Sequence, residues 1–188
     1  FIVHRAKEEE PFLCYVPFNA PHSPFQAPDK YIKKFQHLVN PSAKGKNKSL
    51  RQVVAAMVAC MDEGIGKILK AIESSGEADN TIVWFFSDNG GIGGLPKNNL
   101  PLRGNKLDVW EGGVRVAAAM RWPSGGVKDG RKISVPLSCI DVIPTLIRAT
   151  GGGDVSFGNK PFDGRDVLDV LQGKRKRLDR ELYFYHGQ

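Results

Sequence analysis

At 188 residues the chain is long enough for one domain that buries roughly 70% of its unfolded surface. Its 41% apolar and 25% charged residues are ordinary for a globular protein, and no apolar stretch approaches the ~20 residues of a membrane helix. The net charge of +7 admits an anionic partner, but no aromatics interleave with the basic clusters as a stacking platform for single strands requires. In chain order, Phe12-Leu-Cys-Tyr-Val16 reads as a buried strand. It runs into Asn19-Ala-Pro-His22-Ser-Pro, where prolines at 21, 24 and 28 forbid regular structure. Residues 29–36 read as a short helix and 37–48 as a polar loop. Leu50, Val53, Val54, Met57, Val58, Met61, Ile65, Ile68, Leu69 and Ile72 recur at steps of three and four, which predicts a helix over 50–75. Ser49 with Gln52 has the capping-box pattern, Gly76 suits the stop, and Gly64 and Gly66 weaken the helix or mark a close contact. The run 81–87 predicts a buried strand, followed by a glycine-rich loop and a strand at 114–120. A helix at 142–150 is expected with Asp141 as its cap and Gly151 after its end. Residues 152–164 read as loop, 165–172 as a short helix and 181–186 as a short extended segment. Strands alternating with helices indicate an α/β layered sheet.

Three cysteines cannot all pair with one another. Cys14 in an apolar run and Cys60 on an apolar helix face read as buried free thiols, and the lack of any Cys-x-x-Cys argues against structural zinc. Lys44, Lys46 and Lys48, and the run Lys174-Arg-Lys-Arg177, read as solvated loops in preference to a surface for nucleic acid or anionic glycan. No membrane partner is expected. The chain opens Phe-Ile-Val-His-Arg, without initiator Met or signal peptide, as expected of a fragment or a processed chain.

The most informative stretch is 81–115. The apolar run ends in Asp88-Asn89-Gly-Gly, and ligands in open α/β sheets collect at the carboxyl ends of strands. Two oxygen-bearing side chains there suit a hard divalent cation. Lys106, 17 positions after Asn89, can supply a point charge for an anion beside that cation. Taken alone, Asp-Asn-Gly is also a common turn, and Lys106 a common surface lysine.

Pro101-Leu-Arg-Gly-Asn-Lys106 and Glu111-Gly-Gly-Val-Arg115 follow the strand and Asp88-Asn89-Gly. Around them stand Asn19-Ala-Pro-His22-Ser-Pro, Met61-Asp62-Glu63, Arg121-Trp122-Pro123, Asp141-Val-Ile-Pro144-Thr145-Leu146 and Phe162-Asp163-Gly164-Arg165. In this order, along nearly the whole chain, they resemble the type I, formylglycine-dependent sulfatases. Asn99 to Lys106 followed by Trp110-Glu-Gly-Gly looks closest to the arylsulfatase B branch. The resemblance implies an alkaline-phosphatase-like α/β fold, a layered sheet with flanking helices. It also implies a sulfuric ester hydrolase acting on a sulfated small molecule or glycan, in a periplasmic, secreted or lysosomal setting. By resemblance Asp88 and Asn89 bind calcium, Lys106 contacts the sulfate oxygens, and His22 contacts the sulfate and the bridging oxygen. Glu111 and Arg115 read as architectural, Arg115 pairing with a carboxylate beneath the site.

One departure bears on mechanism. The family nucleophile motif is Cys/Ser-x-Pro-Ser-Arg, whose first residue becomes formylglycine. Here Cys14 precedes Tyr-Val-Pro-Phe, Cys60 precedes Met-Asp-Glu and Cys139 precedes Ile-Asp-Val, and no Asp-Asp pair occurs. The expectation is a partial sulfatase domain over 1–188, with an incomplete sheet and no nucleophile of its own. An N-terminal half would be its missing partner, and a small C-terminal subdomain would start near 152–188. Two other readings stay open: a phosphodiesterase or phosphonate hydrolase of the same superfamily, and a non-catalytic module for anionic glycan.

Overall fold

The stripe of apolar residues from Leu50 to Ile72 winds into the longest helix of the chain, over Leu50–Ser74, in a computed structural model. The structure describes residues 1–45, 49–95, 97–128, 130–153 and 160–186. They divide into two units, Phe1–Ala78 with Gly91–Pro101, and Asp79–Gly90 with Leu102–Gln188. Lys46 and Lys48 of the first basic cluster, and 154–159 of the expected loop, lie outside the described residues. Among the described residues no helix is long and apolar enough to cross a membrane.

In the first unit, the single turns α1 (Ile2–Arg5) and α2 (Asp29–Ile32) pack on the long helix, α3. A 3-10 turn over Lys33–Leu38 continues α2, which is where the expected helix at 29–36 tightens. Tyr31 of α2 is 3% exposed and donates its hydroxyl to Glu63 of α3 at 2.6 Å. That hydroxyl, with Lys67 and Lys30, holds the Glu63 carboxyl down at about 2. Met61-Asp62-Glu63 therefore serves to fasten α2. The capping box expected from Ser49 and Gln52 does not form: the Ser49 side chain makes no cap bond. Gln52 is buried and donates instead to Ile32 O and Gln36 Oε1, both at 3.0 Å, where an unpaired amide would be costly. Gly76 stops the helix with φ +83°, and Gly64 faces the Phe18 ring, the close contact its place in the helix implied.

The expected buried strand at 12–16 is not one. Leu13 is 75% and Tyr15 82% exposed, and Cys14 is exposed with them. An extended run forms a ladder only beside another strand, and among the described residues no strand lies next to it. The buried-thiol reading therefore fails for Cys14, and Cys60 is only partly buried.

The second unit holds the sheet: β1 (Val83–Phe86) pairs antiparallel with β2 (Ala118–Arg121), Val83 opposite Arg121 and Phe86 opposite Ala118. Trp84 and Met120 pack with Trp122 against a core of Val127, Val167 and Leu171. Phe85 and Phe86, which point to opposite faces, stay 39% and 36% exposed, so neither face of β1 is fully covered, against the expectation of a buried strand. The strand expected at 114–120 begins late because 111–114 coil into a helical turn, α4 (Glu111–Val114). A 3-10 turn over Cys139–Asp141 leads into α5 (Val142–Ala149), and α6 (Leu168–Leu171) is shorter than the expected 165–172. Residues 181–186 are irregular, not paired.

Asp141 does not cap α5 through its side chain. It ends the preceding turn, fully buried, and its carboxylate accepts Ser138 N–H at 2.8 Å, Arg165 N–H at 2.9 Å and both Arg180 Nη atoms at 2.5 Å. Burial pushes this carboxyl up, but the Arg180 guanidinium and the two N–H donors outweigh it and hold the group below the usual range. Thr145 of α5, also buried, donates to Asp141 O and accepts from Val167 N–H, tying the turn to the core.

Candidate active site

The carboxyl end of β1 carries the two predicted metal ligands. Ser87 closes the strand by donating its N–H to Ala117 O at 3.1 Å, and its hydroxyl to Asn89 O at 3.0 Å. This turn leaves Asp88 exposed and Asn89 partly buried. The Asn89 Oδ1 atom is buried with no hydrogen-bond partner among the described residues. Leaving an amide oxygen so costs about 1–3 kcal/mol. An orphaned oxygen beside a carboxylate that has no ion-pair partner among the described residues is the donor chemistry a hard cation selects, so the pair fits one side of a calcium site. Calcium takes 6–8 oxygen ligands, and among the described residues no group of three or more His, Cys, Asp or Glu could hold a metal.

The glycines of Glu111-Gly-Gly explain how the lysine loop is placed. Gly112 N–H donates to Arg103 O at 2.6 Å, and Gly90 N–H donates to Gly113 O at 2.9 Å. Helix α4 thus holds the Asp88-Asn89 turn on one side and the Arg103-Gly-Asn-Lys106 loop on the other. The approach leaves no room for a Cβ: one at Gly112 would sit 2.1 Å from Gly104 O, one at Gly113 2.0 Å from Asp108 O, and one at Gly90 1.8 Å from Gly112 O. Within the loop, Asp108 Oδ2 accepts Asn105 N–H at 2.8 Å, Asp108 N–H returns to Asn105 O at 2.9 Å, and Arg103 lies 3.8 Å over the Trp110 ring. Gly104 takes φ +90°, open to glycine at little cost. Leu107 takes φ +80° without being glycine, a conformation that costs of order 1–3 kcal/mol and persists only where the surroundings impose it. Lys106, next to it, is partly exposed and has no ion-pair partner among the described residues.

His22 lies in the first unit, exposed, in the irregular segment the prolines impose. Its Nδ1 stands 2.9 Å from Ser23 O and 3.3 Å from Ser23 Oγ, and because a carbonyl only accepts, the shorter contact has Nδ1–H as donor. Asp88, Asn89 and Lys106 thus share one unit and one glycine seat, and His22 belongs to the other. Arg115 does not pair beneath the site. Its guanidinium meets Glu111 of its own turn at 3.2 Å, both exposed, because α4 puts the two one turn apart. The Arg103–Trp110 stack and the Asp141–Arg180 pair escaped the sequence reading. Nothing in their spacing marks them, since both join residues through loops.

The family described as Sulfatase matches residues 1–152. Mouse steryl-sulfatase is 32% identical over 97% of this chain and 28% of its own length, and human arylsulfatase H 32% identical over 95% and 30%. The solved Ps i-CgsB, in complex with k-i-k-neocarrahexaose, shares 33% identity at a TM-score of 0.78 over 93% of this chain and 37% of its own. The chain thus spans about a third of the proteins it matches. The fold common to them is the alkaline-phosphatase-like α/β layered sheet with flanking helices, and this chain holds a part of it.

Proposed function

Because the chain belongs to the sulfatase family, we propose that it supplies one side of an active site that hydrolyses sulfate esters. The observation that carries this reading is the buried, unpartnered Asn89 Oδ1 beside exposed Asp88, on a seat that also fixes the Lys106 loop. Asp88 and Asn89 would hold calcium. A bound calcium ion supplies positive charge that polarises the sulfate. Lys106 adds a point charge toward the sulfate oxygens, worth about 4 kcal/mol per unit pair at 4 Å and an effective dielectric of 20. His22, with Nδ1–H held on Ser23 O, would give the departing alcohol a proton from Nε2 in its imidazolium form, which carries a proton on both nitrogens. Neither Cys14, Cys60 nor Cys139 begins a Cys-x-Pro-Ser-Arg sequence, and none is proposed as nucleophile. The formylglycine would come from an N-terminal half. The substrate class we propose is a sulfate ester of a glycan or small alcohol, in a periplasmic, secreted or lysosomal setting.

Two results test this. In the full-length product of the gene, Asp88→Ala should lower turnover of a chromogenic aryl sulfate by about 10²–10³-fold, as loss of one charge-stabilising group does, and should weaken calcium binding read by calorimetry. Unchanged turnover together with unchanged calcium affinity would remove the metal assignment. The 188-residue chain by itself should bind calcium only marginally and should not turn over the same ester, for want of a nucleophile. Turnover above that of its Lys106→Ala variant would overturn the division of labour.

A further inference from the structure

The basic run Lys174-Arg-Lys-Arg177 has no part in the proposed chemistry. Gly173, at φ +75°, turns the chain out of α6 and sets this run opposite residues 131–136. Between them lies a cleft of about 460 Å³. Arg131, Lys132, Arg175, Lys176 and Arg177 line it, and among the described residues no acidic side chain does. Arg131 is fixed in the wall. Its Nη1 donates to Leu171 O at 3.4 Å, and a Cβ at Gly173 would meet that same atom at 2.4 Å. Lys132, Lys176 and Arg177 have no ion-pair partner among the described residues. Asp169, which does not line the cleft and which feels the charges of Lys174 and Arg175, is already bound to Arg148.

Five cations around one cavity repel one another, and an anion entering it removes that repulsion. Guanidinium groups grip sulfate and carboxylate oxygens in pairs. The volume falls in the range of small-ligand sites, of about 300–1,000 Å³. Between the cations the walls are aliphatic, from Ile133, Pro136 and Leu178, and offer a C–H surface to a sugar ring. Among the described residues no aromatic side chain lines the cleft to offer nucleobases a stacking face. We propose that this cleft binds a segment of anionic polysaccharide through its sulfate or carboxylate groups. Such a site does not depend on whether the chain takes part in ester hydrolysis.

The test uses the full-length protein and three probes by calorimetry: a heparin octasaccharide, a hyaluronan octasaccharide and a deoxythymidine oligomer of equal charge. The variant Arg175→Gln/Lys176→Gln/Arg177→Gln changes only exposed loop residues. It should melt as the parent does and lose at least about tenfold in polysaccharide affinity, with aryl sulfate turnover unchanged. The control Lys7→Gln/Lys33→Gln/Lys70→Gln removes the same charge from exposed positions in the first unit and should bind as the parent does. Binding of heparin alone assigns the cleft to sulfate, and binding of both saccharides to either anion. Equal loss in the control, equal affinity for the DNA oligomer, or no saccharide binding overturns the proposal. Asp88→Ala should leave saccharide affinity intact, so loss of hydrolysis and loss of this cleft are read separately.

Discussion

Gly112→Ala should disrupt the second unit and abolish turnover together. The new methyl would sit 2.1 Å from Gly104 O and 2.6 Å from Arg103 O, and both are backbone atoms that no rotamer change can move. Overpacking a filled site costs typically 1–3 kcal/mol, and rigid neighbours place this one at about 3 kcal/mol or above. The Arg103–Lys106 loop must then leave its seat, so activity should fall even where the fold survives. Gly66→Ala is the matched control. It sits within α3 with nothing within 4 Å of the added atom and should stabilise by roughly 0.5–1 kcal/mol. Thermal unfolding beside a turnover assay reads both. A Gly112→Ala protein with parental melting and parental turnover would show that the seat does not govern the loop.

Arg180→Ala should cost about 3–5 kcal/mol, because it strands a buried carboxylate. The Asp141 side chain is 0% and that of Arg180 7% accessible, so water cannot replace the lost partner. In the parent, Asp141 is depressed. Its contribution is therefore complete above the unfolded value of about 3.9 and is lost as pH falls through the lower folded value. In the variant the burial that pushes this group up is no longer outweighed by the guanidinium. The deficit against the parent should accordingly be greatest near neutral pH and should narrow as pH falls, first where the stranded group protonates, above the ordinary value of about 3.9, and then where the depressed parent group does, below it. A deficit that stayed constant across that interval would mean that Arg180 acts by packing alone. Asp141→Asn combined with Arg180→Leu should recover part of the loss, since the buried charge is gone and the one amide oxygen still accepts either Ser138 N–H or Arg165 N–H, which in the parent go to different oxygens.

Where one segment alone decides conformation, the sequence was readable. The apolar steps of three and four gave α3 almost to the residue, and Gly76 and Gly151 end α3 and α5 in the left-handed region that glycine allows. The turn after β1 was found because an apolar run followed by Asp-Asn-Gly is a local signal. Where a distant partner decides, local pattern misled. Residues 12–16 have the composition of a buried strand, but composition names no neighbour, and without one the run lies open. Gln52 and Asp141 both carry capping patterns: Gln52 answers instead to Ile32 O and Gln36, and Asp141 caps not α5 but the turn before it, in a box with Ser138, while also binding distant Arg180. For the candidate site, residue types named Asp88, Asn89 and Lys106. They did not disclose that two glycines hold the segments together, since a glycine pair reads as a turn until the oxygen atoms facing it are known.

The left-handed Leu107 bears on what can be moved from one protein to another. Taken as a peptide, residues 103–108 would abandon this shape, because a leucine there prefers the opposite sign of φ. The shape is written largely in residues outside it, the N–H of Gly112 and the ring of Trp110, with the carboxylate of Asp108 closing the loop from within. An engineer who grafted only Arg-Gly-Asn-Lys onto another scaffold would import the charge without its aim. The smallest portable unit runs from the end of β1 to Gly90 and from Arg103 to Val114, two strings of residues that inherit their geometry from each other.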